Sequence, residues 1–374
     1  MRPLRILLVT TGMRLGGAER QIQSLATEFL RRGQSVALLN LTGRSELALP
    51  EGVHELRLCL KAHRLPLDLC RAARWIRRWQ PDVVHSHMLK ANLITRLLRL
   101  LAPMPRLICT AHSQKEGGRL MMWAYRASDG LCNLSTHVSA QAVAHYLDLG
   151  AMPAGKLVHM PNGVDLQGFS PDPDARPGQR QALGLLPEEE VWLHVARLVP
   201  VKAQSLLLQA FARVHAQNPK ARLLICGDGP LRAELQAQAE GLGLSQVVRF
   251  LGQRSDVPAL MNACDAFVLS SDTEGAPLVL AEAQALGLPC VSTEVSGARE
   301  LLTPHDRIVP VQDMAALVRA MQALASNPIS AAHTALERRT HIQAVADLRH
   351  IAERWLHLYQ GTTSMPLGHN PHKP

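Results

Sequence analysis

Aromatic residues are scarce in this sequence, 3 % of 374 residues, and no apolar run approaches the roughly 18 residues that a membrane-spanning helix requires. Few aromatics and no recognisable binding module argue against a nucleic-acid partner. The absence of a long apolar run argues against a bilayer span. The opening stretch MRPLRILLVTTGM has too short an apolar core for a signal peptide and reads as a first buried strand. Seven cysteines occur, at 59, 70, 109, 132, 226, 264 and 290, without C-x-x-C spacing. They read as reduced core thiols in a cytoplasmic protein, not as disulfides or a zinc centre. A lone D-x-D, Asp172 and Asp174, falls in the proline-rich polar stretch 170–178. It reads as turn residues, so no metal and no cofactor is expected.

What is present is enough for two cores: 374 residues, 47 % of them hydrophobic. Short apolar runs alternate with longer helical patterns, the mark of parallel sheets covered by helices. Strands are expected at 4–10, 35–41, 82–86, 107–111 and 131–138, then at 191–197, 221–226, 247–251, 266–269 and 289–292. Stretch 170–178 is a candidate linker. This divides the chain into 1–168, 169–345, a terminal helix within 346–360, and a tail, 361–374, that lacks core-forming periodicity and is expected to be disordered.

Charge is distributed unevenly. Residues 1–170 hold 22 Lys and Arg against 11 Asp and Glu, whereas 171–374 hold 18 against 20. Much of the excess is local: Lys61, Arg64, Arg71, Arg74, Arg77 and Arg78 surround Trp75, Ile76 and Trp79. An amphipathic helix there can lie on an anionic bilayer, each basic residue contributing about 1 kcal/mol, or it can turn its tryptophans to the core.

The chemistry is concentrated in SSDTEGAPLVLAEAQALGLPCVSTEVSGARELL, residues 270–302. Glu274 falls on a loop leaving an apolar strand, and Glu282 falls inside the helix that follows. Pro277 is suited to the first helical position and Gly275 leaves the backbone open. The amides of the first turn, at Leu278 and Val279, can then face a diphosphate at the positive end of the helix. Glu282 would lie roughly 7.5 Å further along the axis, within reach of ribose hydroxyls, while Glu274 faces the sugar side. Arg197 leaves a strand and Lys202 follows five residues later, so that both cations can meet a leaving diphosphate. TTGMRLGGAER, 10–20, carries Gly16 and Gly17 before a helix without completing G-x-G-x-x-G; the pair suits either close approach to a ligand or a turn with positive φ. His112 follows a strand and projects at its C-terminal rim, with His85 and His87 as competitors.

These segments resemble, in the same order, those of retaining glycosyltransferases of the GT-B fold, family 4: GMRLGGAERQI, PNGVDLQGF, VARLVPVKAQSLLLQAF, CGDGPLRAEL and the paired-glutamate stretch. The resemblance implies an α/β protein of two Rossmann-like parallel-sheet domains facing an interdomain cleft, with the terminal helix crossing back to the first domain. It implies a nucleotide-sugar donor and a glycan or polyprenyl-diphosphate-linked acceptor, and it strengthens the case for peripheral contact with an anionic membrane. Glu274 and His112 would then be catalytic, and Gly16, Gly17, Arg197, Lys202, Gly275, Pro277, Leu278, Val279 and Glu282 would bind the donor. Front-face attack, with the departing phosphate taking the acceptor's proton, is the usual inference for the family, although a nearby carboxylate also suits a covalent route. UDP as the nucleotide is an expectation from family frequency. This chain has Ala196 and Ala203 where the family commonly has glycine. A non-hydrolysing sugar-nucleotide epimerase of the same fold and a non-catalytic membrane-associated scaffold are the alternatives.

Overall fold

The computed structural model describes residues 2–60, 64–113, 117–325 and 331–361. Seven parallel strands, β1 (Arg5–Thr10), β2 (Ser35–Asn40), β3 (His54–Arg57), β4 (Val83–His87), β5 (Arg106–Ala111), β6 (Leu134–His137) and β7 (Leu157–His159), form one sheet in the order β3-β2-β1-β4-β5-β6-β7. A second parallel sheet holds β8 (Glu190–Val195), β9 (Ala221–Cys226), β10 (Val248–Gly252), β11 (Ala266–Leu269), β12 (Cys290–Thr293) and β13 (Arg307–Val309), ordered β10-β9-β8-β11-β12-β13.

Continuous apolar runs produce this arrangement because successive strand residues point to opposite faces and each face needs its own cover. In β1, Ile6 and Leu8 join the core on one side, while Leu7 and Val9 join the core on the other. In β8, Val191, Leu193 and Val195 divide in the same way from Trp192. Both sheets reverse strand order beside their first strand, between β1 and β4 and between β8 and β11. Ligands of open α/β sheets bind at such points, beyond the strand C-termini. The chain is therefore the expected α/β protein with two Rossmann-like sheets, and their switch points face one cleft.

Two connections between the sheets run side by side. Val164 N donates to Ala346 O at 2.7 Å and Leu348 N donates to Val164 O at 3.0 Å, where the chain crosses for the second time. A Cβ on Gly163 would lie 2.7 Å from Leu348 Cα, so glycine is what allows the two crossings to touch. Helix Ala331–Ala346 packs on the second domain through Ile342 and Ala346. Asp347 caps the next helix, Leu348–Gln360, by accepting from Arg349 N at 2.8 Å. That helix lays Ile351, Trp355, Leu358 and Tyr359 onto the first-domain core.

The structure adds strands that the sequence pattern did not announce: β3, β7 and β13, all short and each at a sheet edge. The end of the expected linker is helical instead, because Pro177 lies in the first turn of helix Arg176–Ala182. Asp172 is a turn residue, its Oδ1 accepting from Ala175 N at 2.9 Å. The basic segment is helical over Leu65–Trp79, and Arg64, Arg71, Arg74 and Arg78 are exposed; Lys61 and the tail 362–374 lie outside the described residues. Trp75 turns toward the core side of that helix, while its arginines stay exposed. It is half-buried beside the stripe Ala72, Ala73 and Ile76, and it stacks on Trp79 at 6.1 Å between ring centroids. Arg5 covers Trp79 from 4.9 Å.

Candidate functional site

The second-domain half begins where β11 ends. Glu274 Oε1 accepts from Ser271 Oγ at 2.7 Å and from Lys202 Nζ at 2.5 Å. Both charged side chains are largely shielded, so desolvation offsets much of their attraction and the pair acts more to place the groups than to stabilise the fold. Two further bonds fasten the loops that carry them: Ser270 Oγ donates to Lys202 O at 2.9 Å and Asp272 N to Val201 O at 2.9 Å. Lys202 closes a single 3-10 turn, Pro200–Lys202, and Ala203 follows at φ 48°, ψ 39°. Left-handed geometry is what a glycine would adopt freely, which gives the departure at Ala203 a physical meaning. Arg197 is exposed, and its backbone oxygen accepts from Gln204 Nε2 at 2.9 Å.

The helix expected to start at Pro277 spans Leu278–Ala285, and Pro277 is its N-cap at φ −72°, ψ 101°. The shift is one residue. Leu278 is buried in the core and Val279 packs beside it, so what these two can offer a ligand is backbone. The first turn has no acidic residue and no side-chain cap, leaving the positive end of the dipole unopposed by a carboxylate. Glu282 is 3 % exposed; Arg20 Nη1 lies 3.9 Å from Oε1, and Oε2 has no hydrogen-bond partner among the described residues. Burial pushes its pKa up to about 7, with Arg20 pulling the other way. A buried acceptor left unpaired is costly, and ligand hydroxyls would relieve it.

The first domain supplies the opposite wall. Gly16 is the N-cap of helix Gly17–Arg31 at φ −158°, so the pair does not serve a positive-φ turn. A Cβ on Gly16 would lie 2.5 Å from Glu19 Oε2, and one on Gly17 would lie 4.0 Å from Leu278 Cβ. Gly275 makes the closest approach: its missing Cβ would stand 1.9 Å from His112 O. The Glu274 loop thus touches the end of β5 directly, and Asn162 Nδ2 adds a bond to Ala276 O at 3.3 Å.

The three histidines separate by environment. His85 is a core residue, bonded to Tyr359 Oη and Thr110 Oγ1, each at 2.6 Å. His87 is buried, and its Nδ1 lies 3.0 Å from His112 Nε2. Burial, with the charge of His137 in the same direction, lowers the pKa of His112 to about 3, so the imidazole is neutral. Gly275 therefore brings His112 next to the Glu274 loop, with His87 behind it.

Several participants carried no assigned role in the sequence reading. Arg20 stands inside the GMRLGGAERQI motif, yet only the folded chain sets it against Glu282. Glu300 Oε1 accepts from Ser139 Oγ at 3.0 Å and Ala140 N at 2.9 Å, and His159 Nε2 is 3.1 Å from Oε2. Ser139 Oγ also meets Ser296 Oγ at 2.8 Å, a further contact between the two domains, next to Gly297, whose Cβ would lie 3.0 Å from Ala276 Cα. Beyond β1, β2 and β4 lies a cavity of about 480 Å³ bordered by Thr11, Arg14, Glu19, Thr42, Arg44 and Lys90. No group of three or more His, Cys, Asp or Glu side chains able to hold a metal ion occurs among the described residues.

Residues 175–341 match the family model described as glycosyl transferases group 1, and residues 15–167 match that of glycosyltransferase family 4. EpsF of Bacillus subtilis (strain 168), named as a glycosyltransferase, is 30 % identical over 313 residues, covering 78 % of this chain and 79 % of EpsF. The Escherichia coli UDP-Gal:alpha-D-GlcNAc-diphosphoundecaprenol alpha-1,3-galactosyltransferase is 29 % identical over 231 residues, 58 % of each chain. Among solved structures, Anabaena HepE in complex with UDP and glucose superposes with a TM-score of 0.83 at 20 % identity, over 96 % of this chain and all (100 %) of HepE. WaaG, a glycosyltransferase involved in lipopolysaccharide biosynthesis, does so at 0.76 and 18 % identity, over 96 % of this chain and 99 % of WaaG.

Proposed function

This chain belongs to the glycosyl transferases of group 1, family 4, and from that premise we propose that it moves a hexose or N-acetylhexosamine, with retention, from a UDP-sugar to a glycan or polyprenyl-diphosphate-linked acceptor in bacterial cell-surface polysaccharide assembly. The observation that carries the proposal is the pairing of Lys202 with Glu274 and of buried Glu282 with Arg20 of the first domain, with Gly17 beside Leu278 and Gly275 against His112. Support for the donor and acceptor classes comes from the E. coli relative, whose name specifies UDP-Gal and a diphosphoundecaprenol-linked sugar.

In this mechanism Arg197 and Lys202 stabilise the charge that grows on the leaving diphosphate, a task other transferases give to a divalent metal. The amides at Leu278 and Val279 hold the same phosphates, and Glu282 accepts from the ribose hydroxyls. Glu274 orients the sugar hydroxyls and offsets positive charge on the ring. Neutral His112 offers a hydrogen bond to the sugar without adding a cation beside the oxocarbenium-like centre. The acceptor hydroxyl attacks the face from which the nucleotide departs, and the phosphate oxygen takes its proton. Closure between Gly275 and His112 excludes water, so that transfer outcompetes hydrolysis.

No helix among the described residues is long and apolar enough to cross a membrane. Peripheral contact is proposed through exposed Arg64, Arg71, Arg74 and Arg78 together with exposed Leu67, Leu97 and Leu100, not through Trp75. The test is transfer from UDP-, GDP- and ADP-sugars to a polyprenyl-diphosphate-linked sugar, in EDTA, with the anomeric configuration of the product read by NMR. A retained product from a UDP-sugar is expected. Inversion, loss of turnover in EDTA, or epimerisation without an acceptor would each overturn part of the scheme.

A further inference from the structure

Arg96, on helix Leu89–Leu101, is 0 % exposed, yet no carboxylate lies within ion-pair distance of it among the described residues. Its Nη1 donates to Tyr125 O at 2.8 Å and Ser128 Oγ at 2.9 Å, and its Nη2 donates to Ser135 Oγ at 3.1 Å and Cys132 Sγ at 3.6 Å. The Tyr125 ring centroid is 5.1 Å from the guanidinium. An arginine keeps its charge at any ordinary pH, and a buried charge that meets only neutral dipoles is costly. Asp129, on the turn beside Cys132, is held by Lys156 at 3.0 Å, and Arg99 brings a second cation to the same turn by donating to Leu131 O at 3.1 Å. Sulfur is therefore the acid that touches Arg96.

Two thiols meet at this point, in the same buried cluster. Cys109, on β5, accepts from Ser86 Oγ at 3.3 Å, and Cys132 Sγ meets Ser135 Oγ at 3.4 Å. Burial pushes the Cys109 thiol up and keeps it protonated. A hydrogen bond from Cys109, with Arg96 acting the same way, lowers Cys132 to about 6 against its burial and the charge of Asp129. We propose that Cys132 is a thiolate that serves as the counter-ion of Arg96, with Cys109 donating its S–H, and that this thiolate is a modification site for small peroxides. Sγ attacks one peroxide oxygen, the O–O bond breaks, and a sulfenic acid forms while hydroxide leaves. Exposed Gly130 and Asn133 flank Cys132 on the same turn, so a brief opening there admits a molecule of that size. Cys109 lies three residues before His112, and Asn92, on the Arg96 helix, donates to Thr110 O at 2.9 Å. Oxygen added at Cys132 thus presses on the strand that ends at His112.

The full chain carrying Cys59→Ser and Cys70→Ser, which removes the two exposed thiols, is the parent for the test. Hydrogen peroxide with dimedone across a range of pH, followed by peptide mass spectrometry, reads sulfenic acid at each remaining cysteine. Cys132 should be labelled at least about tenfold faster than Cys264, a buried thiol whose pKa burial raises. Its rate should reach half its limit near pH 6, not near the roughly 8.5 of a free thiol. Cys132→Asp keeps a negative charge beside Arg96 and Cys132→Ser removes it. The first should melt close to the parent at neutral pH, and the second about 5 °C or more below it. Peroxide should lower the melting temperature of the parent and leave that of Cys132→Asp unchanged. Label at Cys132 only in denatured protein, or a half-limiting rate at the pH of a free thiol, overturns the proposal. So does a Cys132→Ser protein that melts with the parent while Cys132→Asp falls. Should either variant fail to fold, the pH profile of the parent decides alone, and each outcome leaves the transferase reading as it stands.

Discussion

Glu282→Gln keeps the size of the side chain and removes its charge, and the structure dictates an opposite outcome for stability and for binding. The wild-type carboxyl is 3 % exposed and its nearest cation is 3.9 Å away. Burial raises its pKa from 4.5 to about 7. A folded-state value above the unfolded one means that the native protein binds more protons between those limits. The stability from this group is therefore fully present below pH 4.5, falls as the pH rises, and is lost above 7. At about 1.36 kcal/mol per unit the full displacement corresponds to roughly 3 kcal/mol. Glutamine has no such term. Relative to wild type, the variant should gain about 1 kcal/mol at pH 5 and about 3 kcal/mol at pH 8, beyond any constant cost of burying an amide. Chemical denaturation followed by circular dichroism at the two pH values measures the difference. Nucleotide affinity should fall by about tenfold or more, because hydrogen bonds to a charged acceptor are lost. A stability difference that does not change between pH 5 and pH 8 would refute the reasoning, since Glu282 would then not be a buried ionising group.

Ala203→Gly relieves a left-handed residue, worth about 1–2 kcal/mol, against a glycine entropy cost of about 0.5–1 kcal/mol, so stability should rise by up to about 1 kcal/mol with activity retained; a clear loss on denaturation would contradict the strain. Gly275→Ala forces the backbones of residues 275 and 112 apart, and a loss of about 1–3 kcal/mol is expected with a sharp drop in turnover, checked by denaturation and a transfer assay. His85, His87, His137 and His194 are fully buried and their pKa values are lowered by burial, those of His137 and His194 to about 4. Folded values below the unfolded 6.5 mean that stability is fully present above pH 6.5 and declines on acidification, by up to about 1.4 kcal/mol per pH unit for each histidine. Denaturation at pH 7.5 and 5.5 in the Glu282→Gln background, free of the opposing carboxylate, should show a steep fall; equal stability at the two values would contradict it.

Central strands were legible in the sequence because burial on both faces demands unbroken apolar runs, as in ILLV of β1 and LLIC of β9. Edge strands were not. β3 reads HELR and β13 reads RIV, too short and too polar to stand out when pairing on one side suffices. In the basic helix, periodicity located Arg71, Arg74 and Arg78 on the exposed face but could not decide which way Trp75 turned. At the site, motif spacing singled out Arg197, Lys202, Glu274 and Glu282 along the chain but not Arg20 or Glu300. It could not find pairings that exist only once the domains face each other: Arg20 with Glu282, Gly275 with His112, and Glu300 with Ser139 and His159.

The measurement that bears most directly on donor binding in the cleft is a thermal-shift panel of UDP, GDP, ADP and their sugar conjugates on wild type, Glu282→Gln and Glu274→Gln. One nucleotide should raise the melting temperature of the wild type, and Glu282→Gln should remove the shift. Glu274→Gln should keep the shift from the free nucleotide and lose only the increment added by the sugar. No shift in the wild type at millimolar concentration, or equal shifts in all three proteins, would contradict the assignment of the two glutamates to the donor.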